Sequence, residues 1–362
     1  MPFFHHGKAF MEKKAVVGMS GGVDSSVAAY LLKEQGYEVT GVTVRTWEEV
    51  EPPDDSERSD IFRARKIASY LGIEHRTVDL AEVFKQAVVD DFIREYLSGH
   101  TPNPCIRCNP AVKWRGMLSV ADEIGADIVA TGHYAKVDRL PNGRYAIKNS
   151  ASAKKDQTYV LYRLTQEMLA KTTFPVGDYE KDEIRAIAKK AGLPCAETPD
   201  SQEICFFIGT DYAGFLERNA SGNAFLPGNF VSADGTVLGR HKGLIHYTIG
   251  QRKGLGIAFG EPVFVTALRP ETNEVVLGKS EDLMKTEFIV REAMFMGIGE
   301  DFTEGDFQGK IRYAKKAAPC RVTRTGEERL SVMFEEPQRA PTPGQSFVFY
   351  DGDYVAGGGF IE

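Results

Sequence analysis

"KAVVGMSGGVDSSVAAYLLKEQG", residues 14–36, decides the architecture. Its first six residues form an apolar run of the length of a buried strand, and that strand leads into a glycine turn. Beyond the turn Val27, Ala28, Leu31 and Leu32 recur at helical spacing, and Gly36 stops the helix. The same alternation continues downstream: strand "YEVTGVTV" (37–44), a helix over 60–71, strand "HRTVDL" (75–80), a longer helix over 81–97, and strand "ADIVATGHY" (126–134). Strands and helices in this order predict a parallel, doubly wound α/β sheet over residues 14–210. Its ligands belong beyond the carboxyl ends of the strands.

Past residue 210 the texture changes to glycines and β-branched residues. Asp234–Gly235 and Asp351–Gly352 read as hairpin turns. We expect a small mixed domain over 211–284 and a C-terminal β-barrel over 285–362. Residues 1–13 lack the long apolar core of a signal peptide and read as a loose tail, and "EEVEPPDDSERSD" (48–60) reads as a solvated acidic loop. With 42% apolar and 26% charged residues the chain is not a disordered one. No run of about eighteen apolar residues occurs, so no membrane partner is expected. Five cysteines are a sparse, odd count that suits a reducing cytoplasm. The net charge of −7 means that any nucleic-acid contact must come from local basic patches.

"MSGGVDSS" (19–26) sits at the first strand–helix junction, where an anion would meet free backbone N–H groups and the positive end of a helix. Ser20, Ser25 and Ser26 add hydroxyls, and Asp24 suits Mg²⁺ or the helix start. No Gly-Lys-Ser/Thr follows, so this is not a Walker loop. In full, "SGGVDSS" resembles the PP-loop of ATP pyrophosphatases, which cleave ATP between the α- and β-phosphates and adenylate a substrate oxygen. The incoming nucleophile then decides the product.

"TPNPCIRCN" (101–109) offers thiols for that part. Asn103 is placed to cap a helical turn that starts at Pro104. Cys105 then falls in the first turn, where the helix dipole favours thiolate, and Cys108 one turn on, on the same face. Asn109–Pro110 is expected to disfavour continuation of that turn. Cys205 follows polar residues and precedes two phenylalanines, which suits a core thiol or a third member of the set; Cys195 and Cys320 read as packing residues. A zinc site would need a fourth ligand, for which His133 is the candidate, since no second Cys-x-x-Cys is present.

"GMSGGVDSS" (18–26), "TPNPCIRCN", "ATGHYAKV" (130–137), "KKDQTYVLY" (154–162), "DSQEICF" (200–206), "HYTIGQRKGLGI" (246–257) and "PGQSFVFYDGDYVAGGG" (343–359) occur in the order seen in tRNA-specific 2-thiouridylases, and the chain resembles that family over nearly all its length beyond residue 13. The resemblance implies an ATP-dependent enzyme, with Mg²⁺, that adenylates the 2-oxygen of the wobble uridine in tRNAs for lysine, glutamate and glutamine. Sulfur then replaces that oxygen. It implies ATP contacts at Gly18, Met19, Ser20, Gly21, Gly22, Val23, Asp24, Ser25, Val44 and Gly132. It makes Cys205 the persulfide carrier and Cys108 the nucleophile or resolving thiol, a pair able to form a disulfide. It implies tRNA contacts at Asn103, Pro104, Cys105, His133, Lys155, Asp156, Gln157, Arg312, Tyr313 and Gln345. A cysteine desulfurase or a sulfur-relay protein would supply the sulfur.

The chain departs from the pattern in two places. Cys105 stands where many members have an aspartate given acid–base work, and Pro110 stands where lysine is usual. The arrangement Cys105, Cys108 and Cys205 is similar to the branch of thiolases that holds a [4Fe–4S] cluster on three cysteines. Persulfide relay and cluster-bound sulfur are therefore both expectations. "KIRYAKKAAPCRVTR" (310–324) carries six basic residues and no acid, which suits phosphate contacts. The rival readings are a PP-loop ligase for a small molecule and a zinc-dependent RNA-binding module without catalysis.

Overall fold

The computed structural model describes residues 13–47, 59–199, 204–207, 211–257 and 260–362. The expected acidic loop and N-terminal tail fall almost wholly outside these residues, as does the run Asp200–Glu203 ahead of Cys205.

The opening stretch folds as read. Strand β1 (Lys14–Gly18) runs into helix α1 (Val23–Glu34), and Gly36 leaves it with φ +88°. Ala15, Val16 and Val17 are fully buried, so β1 is covered on both faces, as a central parallel strand must be. Its neighbours are β2 (Glu38–Arg45) and β4 (Ile128–Ala130), and β3 (Glu74–Asp79) lies beyond β2. With β7 (Thr172–Thr173) the order is β3-β2-β1-β4-β7, parallel throughout. Between β4 and β7 the chain makes the hairpin β5 (Lys136–Arg139) and β6 (Tyr145–Lys148). Helix α2 (Asp60–Leu71) begins on a Ser59 cap and closes on left-handed Gly72. The expected strand over 126–134 is shorter than its apolar run, because residues 131–134 leave the sheet at its carboxyl end.

The second sheet contains β8 (Gly228–Val231), β9 (Val237–His241), β10 (Phe264–Arg269) and β11 (Glu274–Gly278), in the mixed order β10-β11-β8-β9. Asp234–Gly235 turns the β8–β9 hairpin, with Gly235 at φ +87°. The third unit comprises β12 (Met284–Phe295), β13 (Glu304–Lys310), β14 (Ala318–Gly326), β15 (Arg329–Arg339), β16 (Ser346–Asp351) and β17 (Tyr354–Ile361). These six antiparallel strands close into a barrel through pairing of β12 with β17. Its interior is aromatic, with Phe347 and Phe349 fully buried and stacked 5.7 Å apart. The β5–β6 hairpin attaches to β17 where Lys148 meets Tyr354, so the first unit is stitched to the barrel.

One expectation fails in an instructive way. Asn109–Pro110 does not end the cysteine turn. Pro104–Cys108 runs on through a π-helical segment, Asn109–Trp114, into Arg115–Ile124 as one continuous helix. Pro110 cannot donate to the turn before it, and the wider π turn accommodates that loss. Asn109, fully buried, donates Nδ2 to the Val160 carbonyl at 2.8 Å and so anchors the widened turn.

Candidate active site

The glycine loop lies at the carboxyl end of β1. Gly22 occupies the N-cap of α1 with no side-chain cap, which leaves the first N–H groups of the helix without a partner from that position. Gly21 takes φ +73°, and a Cβ there would meet Arg63 Cβ at 2.4 Å, so only glycine lets the loop pass α2. Ser20 N–H points to Ser25 Oγ at 3.3 Å, and Ser26 Oγ donates to the Gly22 carbonyl at 2.7 Å. Met19 is buried beneath the loop, its N–H bonded to the Val42 carbonyl and its carbonyl to Thr43 Oγ1. The loop is thus held by its own hydroxyls, and backbone N–H groups at a helix start are the kind of donor that a phosphate takes.

Asp24 is not a free carboxylate. Lys181 Nζ donates to both its oxygens at 2.7 and 2.8 Å, and Tyr134 Oη donates at 2.8 Å. The sequence placed Asp24 at the helix start, and there its carboxylate is already engaged by Lys181 and Tyr134. As the protein stands, its negative charge ties α1 to helix Lys181–Lys190.

Gly132 explains how the two halves of the site meet. A Cβ at Gly132 would sit 2.5 Å from Ser25 N and 2.6 Å from Asp24 C, so the 131–134 segment lies directly on the loop backbone. His133 follows, with Nδ1 2.8 Å from Thr131 Oγ1 and its ring 5.9 Å from Trp114. Burial, and secondarily the Lys113 charge, push the His133 pKa down to about 3, so the imidazole is neutral. Val44, on the other side, packs against Gly116 of the cysteine helix, where a Cβ would come within 2.7 Å.

In the cysteine turn Asn103 caps as read, its Oδ1 accepting from Cys105 N–H at 3.2 Å, with Pro104 in the first turn. Cys108 is 6% exposed, Cys105 is half-buried and Cys205 is exposed. Cys205 is therefore not a core thiol. Desolvation by the protein around it still raises its pKa to about 11. Burial pushes Cys108 up to about 12. Both thiols are thus protonated near neutral pH. All five cysteines are free, and Cys195 and Cys320 are buried as packing residues.

Lys113 is the residue the sequence reading missed. It lies within electrostatic reach of Cys105, Cys108, Cys205 and His133. Burial works against its ammonium, but the sulfurs of Cys108, Cys105 and Cys205 hold its pKa above the ordinary lysine value. In an α-helix a residue five positions after Cys108 would point roughly 140° away from it. The π turn Asn109–Trp114 brings Lys113 back toward the cysteine face.

Tyr313 is 43% exposed and lies within electrostatic reach of Asp156, Lys155 and Cys105. Asp156 accepts from Ser150 N–H at 3.0 Å and Thr158 Oγ1 at 2.6 Å, and Gln157 accepts from Tyr134 N–H at 2.9 Å. These two side chains brace the loop beside His133. Gln345 donates to the Thr101 carbonyl at 2.6 Å, fixing the approach to the cysteine turn from the barrel. Arg312 faces inward, with Nη2 bonded to Thr342 Oγ1 at 2.6 Å and the Ala340 carbonyl at 3.1 Å.

A cluster or zinc ion needs its ligands brought together. Among the described residues no three His, Cys, Asp or Glu side chains stand where they could share a metal ion. Cys105, Cys108, Cys205 and His133 in this arrangement do not fit such a group. No helix among the described residues is long and apolar enough to cross a membrane.

Comparison with known proteins assigns the chain to a family. Residues 13–209 match the model described as tRNA methyl transferase HUP domain, 214–279 the tRNA methyl transferase PRC-barrel domain, and 285–361 the aminomethyltransferase beta-barrel domain. A tRNA-specific 2-thiouridylase MnmA of Lachnoclostridium phytofermentans is 51% identical over 356 residues, 96% of this chain and 99% of the relative. The Clostridioides difficile protein of the same name is 50% identical over 358 residues, 98% of this chain and 99% of its own. The solved U34-tRNA thiolase NcsA from Methanococcus maripaludis with its [4Fe-4S] cluster aligns with TM-score 0.34 and 21% identity, over 55% of this chain and 64% of that one, too slight a likeness to transfer a cluster. The chain belongs to the tRNA-specific 2-thiouridylase family.

Proposed function

We propose that this member of the tRNA-specific 2-thiouridylases acts in the cytoplasm and uses MgATP to adenylate the 2-oxygen of uridine 34 in tRNA(Lys), tRNA(Glu) and tRNA(Gln). Sulfur then displaces the adenylated oxygen, giving 2-thiouridine, AMP and pyrophosphate. The observation that carries this reading is the contact at Gly132. That residue lies on the Asp24–Ser25 backbone, and its neighbour His133 lies within reach of Lys113, which in turn faces the three thiols. A nucleotide held by the loop and a sulfur held by the cysteines would serve one mouth. The target base must leave its stack to enter it, past the rim of Asn103, Pro104, Lys155, Asp156, Gln157 and Tyr313.

The sulfur travels as a persulfide on Cys205, loaded by a cysteine desulfurase or a relay protein. Its open position suits docking of a donor, whereas Cys108 is buried. The terminal sulfur attacks C2 and AMP leaves with the oxygen. Cys108 then attacks Cys205 Sγ, which frees the thiocarbonyl and leaves a Cys108–Cys205 disulfide for an external thiol to reopen. The Lys113 ammonium holds the anionic sulfur, work that neither thiol can do for itself when burial keeps both protonated. No step passes through a cluster.

The test is incubation of unmodified tRNA with protein, ATP, Mg²⁺, cysteine and a desulfurase, followed by nucleoside analysis. Cys108→Ala and Cys205→Ala should each lose at least about 10³-fold in thiolation, while Cys105→Ala keeps the activity. Stoichiometric iron and sulfide in anaerobically purified protein, with loss of activity in Cys105→Ala, would overturn the persulfide route. Absence of any thiolated nucleoside would overturn the function.

A further inference from the structure

Arg107 lies between Cys105 and Cys108, and its guanidinium leaves the turn to reach the barrel. Nη1 and Nη2 donate to the two carboxylate oxygens of Glu292 at 2.6 and 2.8 Å. Glu292 occupies a bulge of β12. Arg291 pairs with Phe360 and Met294 with Gly358, so Glu292 and Ala293 together oppose Gly359. Its φ of +49° is left-handed, a conformation that a non-glycine residue keeps only where its surroundings enforce it. The enforcement is visible. Arg291 donates to the same carboxylate at 2.7 Å, and Arg163 donates to the Glu292 carbonyl at 3.0 Å. The guanidiniums of Arg107, Arg163 and Arg291 all lie over one ring, Phe360, at 4.4, 5.2 and 5.6 Å from its centre. Asp91 and Glu95 take the outer edges, 3.5 Å from Arg107 Nε and 2.7 Å from Arg291 Nη2. The carboxylate of Glu292 is the group all three cations share.

The barrel also grips the start of the turn. Thr101 N–H bonds to the Pro343 carbonyl at 2.8 Å, and Gln345 holds the Thr101 carbonyl. The segment 101–108 is therefore fastened to the barrel at both ends.

We propose that Glu292 is a positioning residue, through which the barrel sets the Cys105–Cys108 turn by way of Arg107. The proposal rests on the sulfur-transfer reading above. It adds that the unit carrying the basic stretch 310–324 also fixes where the buried thiol points. Without the Glu292 carboxylate three guanidiniums repel across Phe360, and Arg107 pulls the turn with it.

Glu292→Gln and Glu292→Asp, each checked for a cooperative melt, test this. In Glu292→Gln the kcat for tRNA thiolation should fall about 30-fold, since small misplacement of a reacting group is costly, while KM for tRNA and for ATP moves less than about threefold. Alkylation of Cys108 by iodoacetamide, read peptide by peptide, should rise about tenfold as the turn loosens. Glu292→Asp, which keeps the charge, should restore most of both values, and carries the test should the glutamine variant not fold. Unchanged kcat with wild-type alkylation of Cys108 overturns the proposal. So does a loss confined to KM for tRNA, which assigns Glu292 to docking. Should wild-type protein fail to thiolate tRNA, the sulfur-transfer reading falls, and the alkylation rates alone decide whether Glu292 holds the turn.

Discussion

The glycine loop and the cysteine turn, which the proposed reaction brings to one mouth, are built on opposite plans. Gly18 to Ser26 are consecutive, bond mainly to one another and to the strand beside them, and present backbone N–H groups. The cysteine turn presents side chains, and what it needs comes from far along the chain: Val160, Thr101 with Gln345, and Glu292. A phosphate site of backbone dipoles asks only for a short stretch of glycine and serine. A sulfur site asks for a cation, a buried thiol and an open thiol held in register, and no short segment supplies all three. The loop should therefore fail by local steric insult, and the cysteine end by loss of remote support.

The sharpest break is at the contact between the two. In Gly132→Ala the new Cβ runs into the Asp24–Ser25 peptide, 2.5 Å from Ser25 N and 2.6 Å from Asp24 C, and neither atom is the flexible end of a side chain. The loop must move. We expect ATP affinity, measured by calorimetry, to fall at least about 100-fold, as binding that relies on preformed backbone donors loses its geometry. AMP formation and thiolation should fall together. Glycines whose Cβ would meet only a side-chain tip, such as Gly18 against Met117 Sδ at 2.8 Å, should tolerate alanine far better. Equal losses at Gly18 and Gly132 would remove the distinction.

Lys113→Met tests the cysteine end alone. Removing the cation should lower kcat for thiolation about 100-fold, the scale for losing one preorganised electrostatic partner. Tight ATP binding and tRNA-dependent pyrophosphate release should persist, because adenylation precedes the sulfur step, and Lys113→Arg should recover part of the loss. A parallel collapse of pyrophosphate release would place Lys113 with the nucleotide, and the two regions would then be less separate than their construction indicates.

The same contrast explains what the sequence made legible. The first strand, α1, the loop, the Asn103 cap and both Asp-Gly hairpins depend on neighbours in sequence, and they fold as read. The Asn109–Pro110 reading failed because it assumed α-helical geometry, in which proline ends the turn. The structure keeps the helix by widening it, and that widening is also what hid Lys113. The ion pair of Asp24 was invisible because its partner, Lys181, lies 157 residues away. Glu292 and Arg107 are separated by 185 residues, and an exposed-looking Glu-Ala pair in a strand gives no sign of a bulge. The part proposed for Cys205 rests on resemblance, because its own neighbours also admit a core thiol.

The smallest effect concerns His133, which sits at the seam. Its pKa of about 3 lies below the ordinary value of 6.5 because burial and Lys113 both oppose a second positive charge. The folded protein therefore binds fewer protons at this ring than the unfolded chain does between those two pH values. This contribution to stability is complete above pH 6.5 and is lost as pH falls toward 3. His75, lowered to about 4 by burial and Arg65, adds to the same limb. Between pH 6.5 and 4.5, before most carboxylates titrate, each histidine should cost up to about 1.4 kcal/mol of stability per pH unit. Urea unfolding of His133→Gln across that window should show a shallower slope than wild type. A slope unchanged in His133→Gln but flattened in His75→Gln would mean that the ring can take up its proton where it stands. Burial of the ring, the larger cause of its lowered pKa, would then be less complete than its packing against Trp114 and Phe174 indicates, and the seam would admit water.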